Sequence, residues 1–182
     1  MRALTLMQPW ASVVMLAPSS PRPPAVLKTC ENRPKRTVPQ AWDLRACGAI
    51  HAGKGWDGDG FGKIFAAWPD YNCVDYPAGV LLGMARIDQV LELPRGSHYG
   101  GVEHDEAARK WLAELRTDPW CFGPWCIQIG EVRPLDEPIE CPGMLGFWTV
   151  EPALPKVCNR RIVAESMDAL EALVPAGGRT YA

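Results

Sequence analysis

Residues 17–25 read Ala17-Pro18-Ser19-Ser20-Pro21-Arg22-Pro23-Pro24-Ala25. Each proline locks φ and removes an amide donor, so neither a helix nor a central strand can run through this segment. It is expected to be an extended surface loop that cuts a short N-terminal unit from the rest. Before it, Arg2–Leu6 has the pattern of a short strand, apolar at Leu4 and Leu6. Pro9 then stands where a helix favours a first-turn proline, and Trp10, Val13 and Val14 recur at helical spacing as a buried stripe. After it, Lys28–Arg33 reads as a strand ended by Pro34.

Similar short elements fill the remainder. Arg45–Ala52 predicts a strand carrying His51 near its end, and Gly53–Gly60 a turn before a short helix over Phe61–Trp68. The glycines fit neither the Walker spacing nor the dinucleotide spacing. Asp57 and Asp59 lack the terminal Glu of a calcium loop. Asp75–Gly79 is a turn into a long apolar strand, Val80–Leu93, with Gly83 as a bulge. Glu103–Arg116 carries Ala108, Trp111, Leu112 and Leu115 on one helical face. Trp125–Val132 is a strand, Pro134–Gly143 a turn-rich link and Leu145–Val150 a last strand. Five or six strands with helices between them predict an α+β fold built on a curved sheet or small β-barrel. The domain is expected over 1–152, with a C-terminal tail over 153–182 that holds a short helix at Ile162–Leu173.

At 182 residues, 47% apolar and 22% charged, the chain has the size and composition of one globular domain. No apolar run approaches membrane-spanning length, and Gln8 interrupts the N-terminus before a signal core forms, so a cytoplasmic protein is expected. The net charge of −2 excludes bulk electrostatic coating of nucleic acid. The charge is uneven, however. Residues 1–60 hold eight Lys/Arg against four Asp/Glu, and the remainder 11 against 17. Seven scattered cysteines in such a chain are expected to be reduced core residues. Cys121 and Cys126 are too far apart for a zinc knuckle, so neither metal nor cofactor is expected.

Lys28, Glu31, Arg33, Lys35 and Arg36 concentrate charge on one short strand and its exit. Two readings stand side by side: a solvated edge strand whose charges discourage aggregation, or the polar floor of a groove. A local basic patch on an acidic body suits selective contact with an anion.

Several stretches in succession resemble the ASCH domain, the activating-signal-cointegrator homology branch of the PUA-like superfamily. They are Ala3–Ala11, Lys28–Arg33, Ala49–Lys54, Asp75–Gly83, Trp125–Pro134 and Gly143–Val150, together covering roughly residues 2–151. The resemblance implies a small β-barrel with peripheral helices and a cleft between them that takes RNA, DNA or modified nucleosides. It places Gln8, Trp10, Lys28, Glu31, Arg33, His51 and Lys54 near one site. There are two departures. The Pro-rich segment is longer than the family's usual link. Family members that deacetylate acetylcytidine pair a Lys with a Thr three positions later and a distant Glu. Here Glu31 stands at the Thr position and the distant Glu has no match.

Two functions follow as expectations. In the first, a basic cleft binds single- or double-stranded DNA, RNA or a nucleotide. Lys28, Arg33, Lys35, Arg36 and Lys54 would meet phosphates, and Glu31 and Gln8 base edges. Trp56, in a Gly/Asp segment, is the better stacking candidate, because Trp10 belongs to a helical core stripe. In the second, a hydrolase acts on a modified nucleoside or nucleic acid, with Glu31 as base and Lys28 steadying an oxyanion. Glu31 is expected to be ionised with a lowered pKa among its cations. His51 serves either as acid or base, or as a strand-end residue bonded to backbone.

Overall fold

The computed structural model describes residues 2–16, 27–34, 47–68, 71, 76–93, 106, 110, 113–114, 118, 120–122 and 124–150. The Pro-rich segment, Lys35, Arg36 and the tail over 153–182 lie outside the described residues. Of the expected helix over 103–116, the described residues 106, 110, 113 and 114 are helical.

Among the described residues, six strands and two helices with continuous bounds follow in the order β1 (Arg2–Gln8), α1 (Trp10–Leu16), β2 (Cys30–Arg33), β3 (Cys47–Trp56), α2 (Gly58–Ala67), β4 (Val80–Glu92), β5 (Trp125–Glu140) and β6 (Phe147–Thr149). They form one mixed sheet in the order β2-β5-β4-β3-β1-β6. β1 and β3 are parallel, in register Leu4 to Ile50, and the other neighbours are antiparallel.

The sheet is curled into a half-barrel. β2 and β1 are four strand spacings apart, roughly 19 Å along a flat sheet. That is far beyond the reach of an arginine, yet Nη2 of Arg33 on β2 donates to the Thr5 carbonyl on β1 at 2.9 Å. Only a curl brings the two strands that close.

Alternation along the strands explains the apolar sequence. Leu4, Ile50, Leu82 and Ala85 join Ala11, Val14 and Met15 of α1 in one buried cluster. Their neighbours Ala3, Ala49, Leu81 and Met84 pack on the other side with Cys141, Trp148 and Val150. A strand buried on both faces reads as a continuous apolar run. A third cluster joins Trp10 and Val13 of α1, Ile64 of α2, Cys30, Cys126 and Trp120.

Two expected turns are strand instead. The Gly53–Trp56 segment continues β3 beside β1, up to a pairing of Gln8 with Trp56. Its glycines lie under the Thr5 and Met7 side chains of β1. β5 runs unbroken through Pro134 to Glu140. Pro134 is accommodated because it faces Gly83 where the β4 register shifts between Leu81 and Gly83. A Cβ on Gly83 would lie 2.3 Å from the Arg133 carbonyl oxygen, so the bulge requires glycine. Among the described residues, no helix is long and apolar enough to cross a membrane.

Candidate functional site

The charged stretch on β2 is not a solvated edge. β2 pairs only with β5 in the sheet, but Lys28, entering it, is 5% exposed. The Lys28 ammonium donates to the Cys30 carbonyl, lies 3.9 Å from Glu31 Oε2 and sits 4.8 Å from the centroid of the Trp10 ring. The other Glu31 oxygen is 3.3 Å from Arg33 Nη2, whose guanidinium also reaches Thr5. Arg33 Nε is buried and has no hydrogen-bond partner among the described residues. Burial pushes the Glu31 carboxyl above its ordinary value, against the pull of Lys28 and then of Arg33. This corrects the expected lowering: loss of water around the carboxylate outweighs two neighbouring cations. The triad, buried at Lys28 and partly buried at Glu31 and Arg33, is a strut that links β2 to β1 across the curl.

Gln8 is spoken for as well. Its Nε2 donates to the Pro77 carbonyl at 2.7 Å, and its Oε1 accepts from the amide and hydroxyl of Ser12 at 3.2 and 3.1 Å. At 2% exposed, it ties β1 to α1 and to the entry of β4, too deeply buried to meet a base edge. Trp10 is buried, edge-on to Trp120 at 6.0 Å, with its indole Nε1 donating to Asp57 Oδ2 at 2.8 Å. Asp57 also caps α2, accepting from the Gly60 amide at 2.9 Å. The Trp10 bond, then the Gly60 bond, hold the Asp57 carboxyl below its usual range.

His51 is buried in its own network. Nε2 is 3.0 Å from the Cys141 carbonyl, so it carries the proton and donates. Nδ1 faces the Thr5 hydroxyl at 3.2 Å. That hydroxyl donates to the Met144 carbonyl at 2.6 Å and accepts from Trp148 Nε1 at 2.8 Å. Burial lowers the His51 pKa, keeping the ring neutral. Gly143 packs directly on the ring: a Cβ there would come within 2.0 Å of His51 Cε1.

Beside this network opens a cavity of about 790 Å³. Thr5, His51, Lys54, Glu140, Gly143 and Met144 are among its lining residues. Its size suits a nucleotide-sized ligand. Lys54 is exposed on the rim, and Trp56, two residues further along β3 and just beyond the cavity's lining residues, is 49% exposed. The Trp56 ring is held edge-on by Tyr76 at 4.9 Å and tilted against Phe61 at 5.7 Å, leaving a surface on which a flat ring can stack. Met7, Met144 and Leu145, also lining residues, expose apolar surface.

The expected site residues therefore divide. Lys28, Glu31 and Arg33 form the strut, Gln8 and Trp10 the joint between β1, α1 and α2, and His51 and Lys54 the cavity, with Trp56 next to it. Arg33 and Thr5 join strut to cavity through one hydrogen bond from the Arg33 guanidinium to the Thr5 carbonyl. Thr5, Glu140 and Gly143 are cavity residues the sequence did not single out. Nothing local marks Thr5, because its role depends on strands β3 and β6 arriving on either side of it. Comparison with models of protein families and with curated proteins finds no match.

Proposed function

We propose that the protein binds a nucleic acid or nucleotide in the cavity beside β1 and β3, and that its half-barrel is the PUA-like fold of the ASCH domain its motifs resemble. The observation that carries this reading is the pairing of a nucleotide-sized cavity with an exposed lysine on its rim and a half-exposed tryptophan two residues further along β3. Lys54 meets a phosphate, and Trp56 stacks a base splayed out of the strand. The meeting of three of the resembling stretches at Thr5, supplied by β1, β2 and β3, supports the family reading.

The hydrolytic alternative puts the chemistry on Lys28 and Glu31. Burial of Lys28, and the commitment of its ammonium to a carbonyl and a carboxylate, argue against it. The raised Glu31 carboxyl is its one supporting feature.

The test is fluorescence anisotropy with short labelled single-stranded RNA, single-stranded DNA and duplex DNA, with mononucleotides as competitors and mass detection of any product. Trp56→Ala weakens binding by about 5- to 150-fold, the equivalent of one lost stacking contact of roughly 1–3 kcal/mol. Lys54→Ala reduces the salt dependence by about one phosphate's worth. Wild-type affinity in both variants places any ligand elsewhere. An absence of binding to every probe refutes the class.

A further inference from the structure

Three cysteines, one of them about 90 residues before the other two, converge beside the strut. Cys30 begins β2, Cys121 precedes β5, and Cys126 is the second residue of β5. Antiparallel pairing of Asn32 with Cys126 brings the two strands together, and the sulfurs of all three lie within 4.8 Å of one another. Asp118 stands beside this trio, its Oδ2 lying 4.0 Å from Cys30 Sγ. We propose that Cys30, Cys121, Cys126 and Asp118 form a binding site for one thiophilic divalent cation of the zinc class.

The chemistry fits the donors. Thiolates with one carboxylate make a tetrahedral set, and Zn–S bonds of about 2.3 Å require sulfurs about 3.8 Å apart. Cys121 and Cys126 stand 2.6 Å apart, so loading moves Cys121, the half-buried member, outward by about 1 Å, the difference from that tetrahedral edge. Cys30 and Cys126 are fully buried in fixed strands and hold the other corners.

The surroundings orient these ligands. Asn32, between Cys30 and the strand end, clamps the incoming segment: its Nδ2 donates to the Trp120 carbonyl at 2.8 Å, and its Oδ1 accepts from the Phe122 amide at 3.0 Å. The Trp120 amide donates to Asp118 Oδ1 at 2.7 Å, leaving Oδ2 for the ion. Three thiolates and a carboxylate around a divalent cation carry an excess of two negative charges, and Lys28 lies close enough to attract Cys30, Cys121 and Asp118. A disulfide between Cys121 and Cys126 is the competing chemistry. It uses two of the three sulfurs and gives neither Cys30 nor Asp118 a role.

This overturns the inference from spacing that no ligand set exists. Cys121 and Cys126 do not make a knuckle, but the third thiol and the carboxylate come from elsewhere in the fold.

The test uses the full chain, purified under a phosphine reductant and examined by native mass spectrometry with and without added Zn²⁺. One zinc per chain is expected. With Co²⁺ as the probe, thiolate-to-metal charge-transfer absorption should correspond to three thiolates, a count that needs no variant. Cys30→Ser should weaken zinc binding by more than the roughly 10- to 100-fold that follows loss of an outer-sphere partner. Cys141→Ser, altering a thiol in a different cluster, should leave it unchanged. A Cys121–Cys126 disulfide would form equally well in Cys30→Ser, so insensitivity of metal binding to that change overturns the proposal. So does the bare chain mass in excess Zn²⁺, or a cobalt complex without thiolate absorption.

Discussion

Glu31→Gln tests whether the charges on β2 are structural. The carboxylate lies 3.9 Å from Lys28 and 3.3 Å from Arg33. At an effective dielectric of about 20 these contacts are worth about 4 and 5 kcal/mol of gross attraction, most of it offset by lost hydration. What remains on removing the charge depends on which cation can recover water. The Arg33 side chain is 20% exposed and can rehydrate in part, whereas the Lys28 side chain, at 1%, cannot. Burial already opposes the Glu31 charge, so losing the charge costs little by itself. Gln instead turns an amide donor toward Lys28 or Arg33 where an acceptor stood. A loss of about 2–3 kcal/mol is expected, the upper part of the range for a buried donor left unpaired. Lys28→Met should cost less, about 1–2 kcal/mol, because Glu31 keeps Arg33 and the Met stem still packs on Trp10. The double variant Lys28→Met/Glu31→Gln removes both buried charges and should be more stable than the sum of the single changes by at least about 1 kcal/mol. Urea denaturation at neutral pH reads all four proteins, with unchanged m-values as the check on the comparison. A Glu31→Gln protein within about 0.5 kcal/mol of wild type, or a cycle that is strictly additive, would refute the strut.

The joint between α1 and α2 makes a second expectation. Asp57→Ala removes an N-cap worth about 1 kcal/mol and leaves the buried Trp10 Nε1 without its acceptor, for a total of about 2–3 kcal/mol by thermal or urea unfolding. Because the folded-state Asp57 pKa lies below its unfolded value, its contribution is present above the ordinary aspartate range and fades as pH falls through the lowered value. His51 acts in the same sense at higher pH. Its folded pKa is below the unfolded 6.5, so stability is full above about pH 6.5 and declines as pH falls toward the lowered value; in His51→Gln that slope should disappear from a pH series of melting temperatures. Gly143→Ala should displace the imidazole, seen as altered His51 ring signals by NMR together with a lower melting temperature; unchanged signals would count against the close packing.

Local pattern was enough for much of the framework. Pro9 with the Trp10, Val13, Val14 stripe marked α1, and the apolar run from Val80 with Gly83 marked a long bulged strand. Both features are set by backbone sterics and side-chain period within a few residues. A curved sheet of five or six strands with helices was legible for the same reason, and six are present among the described residues. Asp57, expected within a turn, is instead the N-cap of α2, a role that its residue type three positions before Gly60 could have signalled. What the sequence could not decide depended on which strands meet. Pro134 looks like a chain break until the Gly83 bulge is opposite it, and Gly53–Trp56 looks like a turn until β1 lies over it. Glu31 looks ionised among cations until the curl closes Thr5 against Arg33 and removes its water. The three thiols, spread over 97 positions from Cys30 to Cys126, come within 4.8 Å of one another only through pairing of β2 with β5. Short-range sterics act along the chain, but desolvation and ligand convergence act between segments that only the closed sheet brings together.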